Sequence, residues 1–278
     1  MPSFIYIVKK TLWDATYGSL TTDSERIDVT IDNANSSYTS LTFTSIEYPT
    51  DTSFYQHTIG FTISGSNAAD GIHMPTTGSQ GDWDILQFDG MAVITGAFYD
   101  YMGDLSATDA PTINTTSFSQ MFRNMKSSNF GGIASWDVSG ITNYVSCFYG
   151  CTNFNADIST WNVITGTNVN CQDMFRSCTN FNRNIGAWTG FRPSSMRRMF
   201  LAATSFNQDL SSWTMTNLIT TGLAGTFQNA YAFNQELTWS VTGPTSLIDT
   251  FSGCTSFNSS ISNITWNTTA TSASGLFK

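Results

Sequence analysis

Hydrolysis of a sugar or acyl bond needs acids, bases or nucleophiles that can meet, and this chain offers few. Beyond residue 121 its carboxylates are Asp137, Asp157, Asp173, Asp209, Glu236 and Asp249. Glycoside hydrolysis would take two of them about 5–9.5 Å apart. Asp157, Asp209 and Glu236 share one position, directly before Ile158, Leu210 and Leu237, but Asn184 and Ser260 hold the same position elsewhere. Asp137 stands in another position. His57 and His73 are the only histidines, and both lie far upstream of these acids, so no Ser-His-Asp set is expected. They are read as surface or hydrogen-bonded residues. Asp70, Asp82, Asp84 and Asp89 gather nearby, but their spacing does not fit a twelve-residue Ca²⁺ loop. They are read as solvated loop acids. Cys147, Cys151, Cys171, Cys178 and Cys254 form no C-x-x-C pair. Small buried thiols are expected, and a Cys151–Cys178 bridge is the one pairing to test. The chain is therefore read as a non-enzyme, without catalytic residue, metal or cofactor.

The elements that place these residues repeat. A Phe recurs at Phe98, Phe122, Phe148, Phe175, Phe200, Phe227, Phe251 and Phe277, at intervals of 24 to 27 residues. Six residues later comes a second Phe followed by Asn: Phe154-Asn155, Phe181-Asn182, Phe206-Asn207, Phe233-Asn234 and Phe257-Asn258. Then follows an apolar triplet at spacing 0, 3, 5: Ile133, Trp136 and Val138; Ile158, Trp161 and Val163; Leu210, Trp213 and Met215; Ile261, Ile264 and Trp266. A fixed period in this range marks stacked units, since one unit cannot bury its apolar face alone. Alternation along a short strand turns the second and third members inward. The residue between them then points out: Asp137, Asn162, Thr189, Thr214, Ser240 and Thr265. Apolar pairs four apart, such as Met196 and Phe200, suit a turn of helix or 3₁₀ on the opposite side. Each coil would bury two Phe, an Ile or Leu and a Trp, roughly 6–12 kcal/mol before entropy. The Asn after the second Phe is read as a structural ladder that bonds neighbouring backbone.

The predicted fold is mainly β: a right-handed, leucine-rich-repeat-like solenoid with short helical or 3₁₀ turns, preceded by a small antiparallel β module. Residues 1–84 are the β-rich module and cap, and 85–278 the array of about seven to eight coils, ending in an incomplete unit. In the first part Phe4 to Val8 reads as a buried strand. Ile27, Val29 and Ile31 alternate, as do Leu41 and Phe43, then Ile59, Phe61 and Ile63.

Charge is sparse, 11% of residues, and uneven. Residues 1–121 hold 14 acids and 3 bases, net −11; residues 122–278 hold 6 acids and 8 bases, net +2. Such a balance lacks the basic footprint of a nucleic-acid binder. Arg176, Arg183, Arg192, Arg197 and Arg198 fall on adjacent units. They read as a solvated rim or as a docking patch for an acidic neighbour, including the acidic end of another copy. No stretch approaches the ~20 apolar residues of a membrane span, so no direct membrane insertion is expected. The N-terminus, MPSFIYIVKK, lacks a signal peptide's h-region. The expectation is a cytoplasmic protein before assembly, reaching a virion, cell surface or extracellular space by lysis, particle assembly or a non-standard route.

The unit F-N-x-D-I-S-x-W-x-V…M-F-x-x-A/C, clearest at Phe154–Val163 and Phe206–Trp213, resembles the BspA-like leucine-rich repeats of mycoplasma surface lipoproteins and many bacterial surface proteins. The resemblance covers roughly residues 85–278. It implies a solenoid used for adhesion and protein–protein contact, with no catalytic residues to carry over. No export signal or lipid-anchor Cys is expected from MPSFIYIVKK, which would be a departure from that pattern. The array stops at Leu276-Phe277-Lys278, so Phe251, Leu276 and Phe277 are the expected assembly end. The expected function is a virion or cell-surface structural or adhesion protein that meets protein or surface glycan and self-associates or docks on a larger assembly. A bacterial adhesin is the nearer alternative, and a glycan-active enzyme on the same scaffold the more distant one.

Overall fold

The computed structural model describes residues 3–10, 30–32, 37–64, 71–73, 83–88, 92–93, 96–113, 115–163, 168–242, 246–266 and 272–278. Among these the chain is mainly β, with almost no helix and no closed barrel.

The first part builds one sheet from strands the alternation predicts. β1 (Ser3–Lys9) takes in the Phe4–Val8 run, β3 (Ser37–Glu47) takes in Leu41 and Phe43, and β4 (Phe54–Ser64) takes in Ile59, Phe61 and Ile63. β2 (Thr30–Asp32) contains Ile31, while Ile27 and Val29 lie outside the described residues. β5 is Gly71–His73, β6 Trp83–Gln87, β7 Ala92–Val93, β8 Asp104–Leu105 and β9 Thr112–Ile113. The order β3-β4-β1-β6 is antiparallel throughout, but β8 then joins β6 in parallel. A second sheet, β2-β5-β7-β9, starts antiparallel and turns parallel at β5. Every described pairing among β1 to β6 is thus antiparallel, as expected of the first module. The parallel pairs of these two sheets all involve β7, β8 or β9, beyond residue 84, where corresponding segments of successive units lie side by side and must run the same way.

From Gly96 onward one backbone device recurs. Tyr144, Ser146, Phe148 and Gly150 donate their N–H groups to the carbonyls of Asn170, Gln172, Met174 and Arg176 in the next unit. Between them Cys147, Tyr149 and Cys151 donate three residues back, to Tyr144, Ser146 and Phe148. Alternate N–H groups thus serve the neighbouring row and the local turn, leaving none of this run unpaired. The same pattern returns at Phe118–Met125, Cys171–Cys178, Met196–Ala203 and Leu247–Cys254. Its geometry needs a left-handed residue every fourth position: Gln120 and Asn124, Ser146 and Gly150, Asp173 and Ser177, Arg198 and Ala202.

This corrects the expected helical turn across Met196–Phe200: a left-handed residue at Arg198 cannot continue a helix. The 3₁₀ turns lie elsewhere, at Ile133–Ser135 and Ile185–Ala187, directly before Trp136 and Trp188. Short parallel pairs complete the rows: β10 (Val169–Asn170) with β11 (Pro193–Ser195), and β12 (Ser240–Val241) with β13 (Thr265–Trp266).

The core is aromatic. Phe98, Phe122, Phe148, Phe175, Phe200, Phe227, Phe251 and Phe277 follow one another with ring centroids 5.0–5.8 Å apart and planes within 3–10°. Beside this column run Phe154, Phe181, Phe206, Phe233 and Phe257, 5.4–6.2 Å apart. Within one unit the two columns touch, as at Phe200–Phe206, 4.0 Å. Each aromatic pair contributes about 0.5–1.5 kcal/mol beyond its buried area. Trp161, Trp188, Trp213 and Trp239 are buried, and each indole Nε1 donates to the preceding unit, to the carbonyls of Ile133, Ile158, Ile185 and Leu210 at 2.8–3.1 Å. A buried indole needs an acceptor, and the previous row supplies one in register.

Candidate functional site

The residues whose types could do chemistry are held by local structure. Asp157 and Asp209 accept the backbone N–H of Ser159 (2.9 Å) and Ser211 (2.8 Å), closing turns around Ile158 and Leu210. The Ser159 bonds hold the Asp157 carboxyl below its usual range. Asp137 likewise accepts Ser139 N–H at 3.0 Å, and Ser139 lowers its pKa. Glu236 bonds the side chain of Asn263. His57 is buried against Tyr6, with Nδ1 3.1 Å from the phenol oxygen, and burial lowers its pKa to about 3. Of the two expected roles, surface or hydrogen-bonded, His57 takes the second, inside the core. Burial raises the carboxyl of Asp84, which accepts both N–H and hydroxyl of Ser106, at 2.9 and 2.6 Å. Asp70, Asp82 and Asp89 lie outside the described residues, as does the side chain of His73. Among the described residues no group of three or more His, Cys, Asp or Glu is placed to hold a metal ion.

The five thiols are free, so Cys151 and Cys178 are not bridged. Cys151, Cys178 and Cys254 instead donate to the carbonyls of Phe122, Phe148 and Phe227 in the preceding row, at 2.7–2.9 Å. Four are fully buried, and burial pushes all five up, Cys254 to about 12. The asparagine ladder is present. Asn155, Asn182, Asn207 and Asn234 each accept, through Oδ1, the backbone N–H of the next Asn in the series, ending at Asn258, at 2.7–3.1 Å.

The outward column is as the alternation requires. Asp137, Asn162, Thr189, Ser240 and Thr265 are exposed and Thr214 half-buried. Trp136 and Val138, and likewise Trp161 and Val163, flank it from the buried side. Ser240 pairs in register with Thr265, and Thr214 N–H donates to Phe191 O at 3.0 Å. The column is polar, and only Asp137 in it is charged.

The five arginines do not act alike. Arg176 and Arg198, both half-buried, converge on the buried carboxylate of Asp173, at 3.4 and 2.9 Å. Arg183 is exposed and donates Nε to Asn155 O at 2.7 Å, beside the asparagine ladder. Arg192 is exposed and Arg197 half-buried. At the expected assembly end Phe251 is buried, Leu276 half-buried, and Phe277 56% exposed although stacked on Phe251.

A further row was missed. The residue after the first Phe reads Tyr99, Arg123, Tyr149, Arg176 in four successive units. The Arg123 guanidinium lies 5.5 Å from the Tyr99 ring and 4.9 Å from the Tyr149 ring, and Arg176 lies 5.1 Å from Tyr149. Lining up that single position across the units would have revealed it.

A family model described as "Mycoplasma protein of unknown function, DUF285" matches residues 116–238 and 219–278, more than half of the chain. No curated protein and no solved structure matches.

Proposed function

The chain belongs to that Mycoplasma family of unknown function, and on this premise we propose that it is a non-catalytic surface protein, structural or adhesive, carried on a virion or a cell. In this reading residues 85–278 are a right-handed solenoid of the BspA-like leucine-rich-repeat kind, and residues 1–84 cap it. Its exposed columns meet protein or glycan at a surface.

One observation carries the reading. The same polar position returns row after row, directly after a buried Trp at Asp137, Asn162, Thr189, Thr214 and Ser240 and after buried Ile264 at Thr265, exposed in every row but that of Thr214. A scaffold locked by ring stacking and row-to-row hydrogen bonds holds such a column at fixed spacing, which suits a repetitive partner surface. Antibody raised against the chain should label intact cells or particles of the source without permeabilisation. Labelling that appears only after lysis contradicts the proposal.

A further inference from the structure

The Tyr99–Arg123–Tyr149–Arg176 row holds more positive charge than the chain around it balances. Arg123 is sandwiched between two phenol rings, and its hydrogen bond, from Nη1 to Gln120 Oε1 at 3.0 Å, goes to a neutral amide. Asp100, one residue after Tyr99, is engaged by the Asn124 amide at 2.7 Å. Two rows on, a single carboxylate, Asp173, serves both Arg176 and Arg198. Three guanidinium groups therefore face one paired carboxylate, and Arg197 adjoins them. Each holds its protein partner through one Nη: Nη1 in Arg123 and Arg176, Nη2 in Arg198. The Nε atoms of all three are buried without a hydrogen-bond partner. The side chains of Arg176 and Arg198 stay 29% and 30% exposed.

Ring stacking fixes the planar forks of Arg123 and Arg176 before any partner arrives, so little of their rotamer entropy is left to lose on docking. A stacked guanidinium with a second Nη to offer is suited to carboxylates, which it can bind through paired N–H groups. The chain itself supplies the complement, since residues 1–121 carry net −11 against net +2 for the rest.

We propose that this row docks the acid-rich first part of a second copy of the chain. The proposal rests on the surface-contact reading above and names one partner within it. Each copy carries both the row and its complement, so copies can join head to tail or as a twofold pair.

Sedimentation velocity of the full chain tests it, at ionic strengths of about 0.01 M and about 1 M, where the Debye length falls from about 30 Å to about 3 Å. The expected result is concentration-dependent association at low salt that disappears at high salt. An Arg123→Gln/Arg176→Gln variant should associate at least about tenfold more weakly, with unchanged circular dichroism. Arg123→Lys, which keeps the charge and loses the planar fork, should fall between the two. A monomer at both salt concentrations overturns the proposal, as does association indifferent to salt, which the unmodified chain alone can reveal. A chain that stays monomeric but binds heparin through Arg123 and Arg176 also overturns it, in favour of a sulfated glycan. Any of these failures leaves the surface labelling test untouched, so the two readings fall separately.

Discussion

At the scale of single residues, most groups that could have done chemistry are occupied in holding rows together. The indole of Trp188 spends its N–H on Ile158, the thiol of Cys178 on Phe148, and the carboxylate of Asp209 on the turn at Ser211. His57 follows the same logic and gives a pH signature. Buried against Tyr6, it titrates near 3 in the fold, whereas an unfolded histidine titrates near about 6.5. Between those values the unfolded chain binds a proton that the folded chain refuses. Stability contributed by neutral His57 is therefore present above about pH 6.5 and is lost as pH falls towards 3. The slope is up to about 1.4 kcal/mol per pH unit. Urea denaturation at pH 7 and pH 4.5 should show a smaller loss for His57→Gln than for the unmodified chain. Equal losses would mean that His57 is hydrated in the fold.

At the scale of the element, the unit is a run of turns whose alternate N–H groups reach the next row. Such a run depends on left-handed residues, and Gly150 occupies one at φ 74°. A Cβ there would also lie 2.3 Å from Asn124 Oδ1. Gly150→Ala should cost about 1–2 kcal/mol in urea denaturation. Gly140→Ala, where a Cβ meets nothing within 4 Å, should change stability by less than about 0.5 kcal/mol. Equal effects at the two sites would contradict the turn geometry. Much of the unit was legible in the sequence. Phe154, Phe181 and Phe206 recur in one register and stack, Asn155 to Asn258 recur and bond, and Trp161 and Trp188 turn inward. Those features are carried by repeated residue types. The turn run was not legible, because its left-handed positions are filled by Gln, Ser, Asp, Arg, Ala, Asn and Gly, with no shared side chain to betray a backbone property. The Tyr–Arg row was readable but scattered by its alternation of two residue types. The burial of His57 could not be read, since it follows from pairing β1 with β4 across fifty residues.

At the scale of the whole molecule, identical contacts repeat from Phe98 to Phe277, and no row buries its rings without its neighbours. Such a chain gains its stability from row-to-row coupling. That coupling would give the proposed surface role its rigid column of polar residues from Asp137 to Thr265, and it would set the Tyr–Arg row beside it. Everything proposed for the molecule depends on whether the rows are joined through their backbones. The amides of Ser146, Ser177, Arg198 and Ala202 decide this, because they belong to half-buried surface residues whose N–H groups point to Gln172, Leu201, Ala224 and Gln228 in the next unit, at 2.8–2.9 Å. Residue-resolved hydrogen exchange of these amides is the most direct measurement. Joined rows predict exchange slowed about a thousandfold or more, in step with the global opening of the array. Exchange at the rate of exposed turns at all four positions would contradict the account.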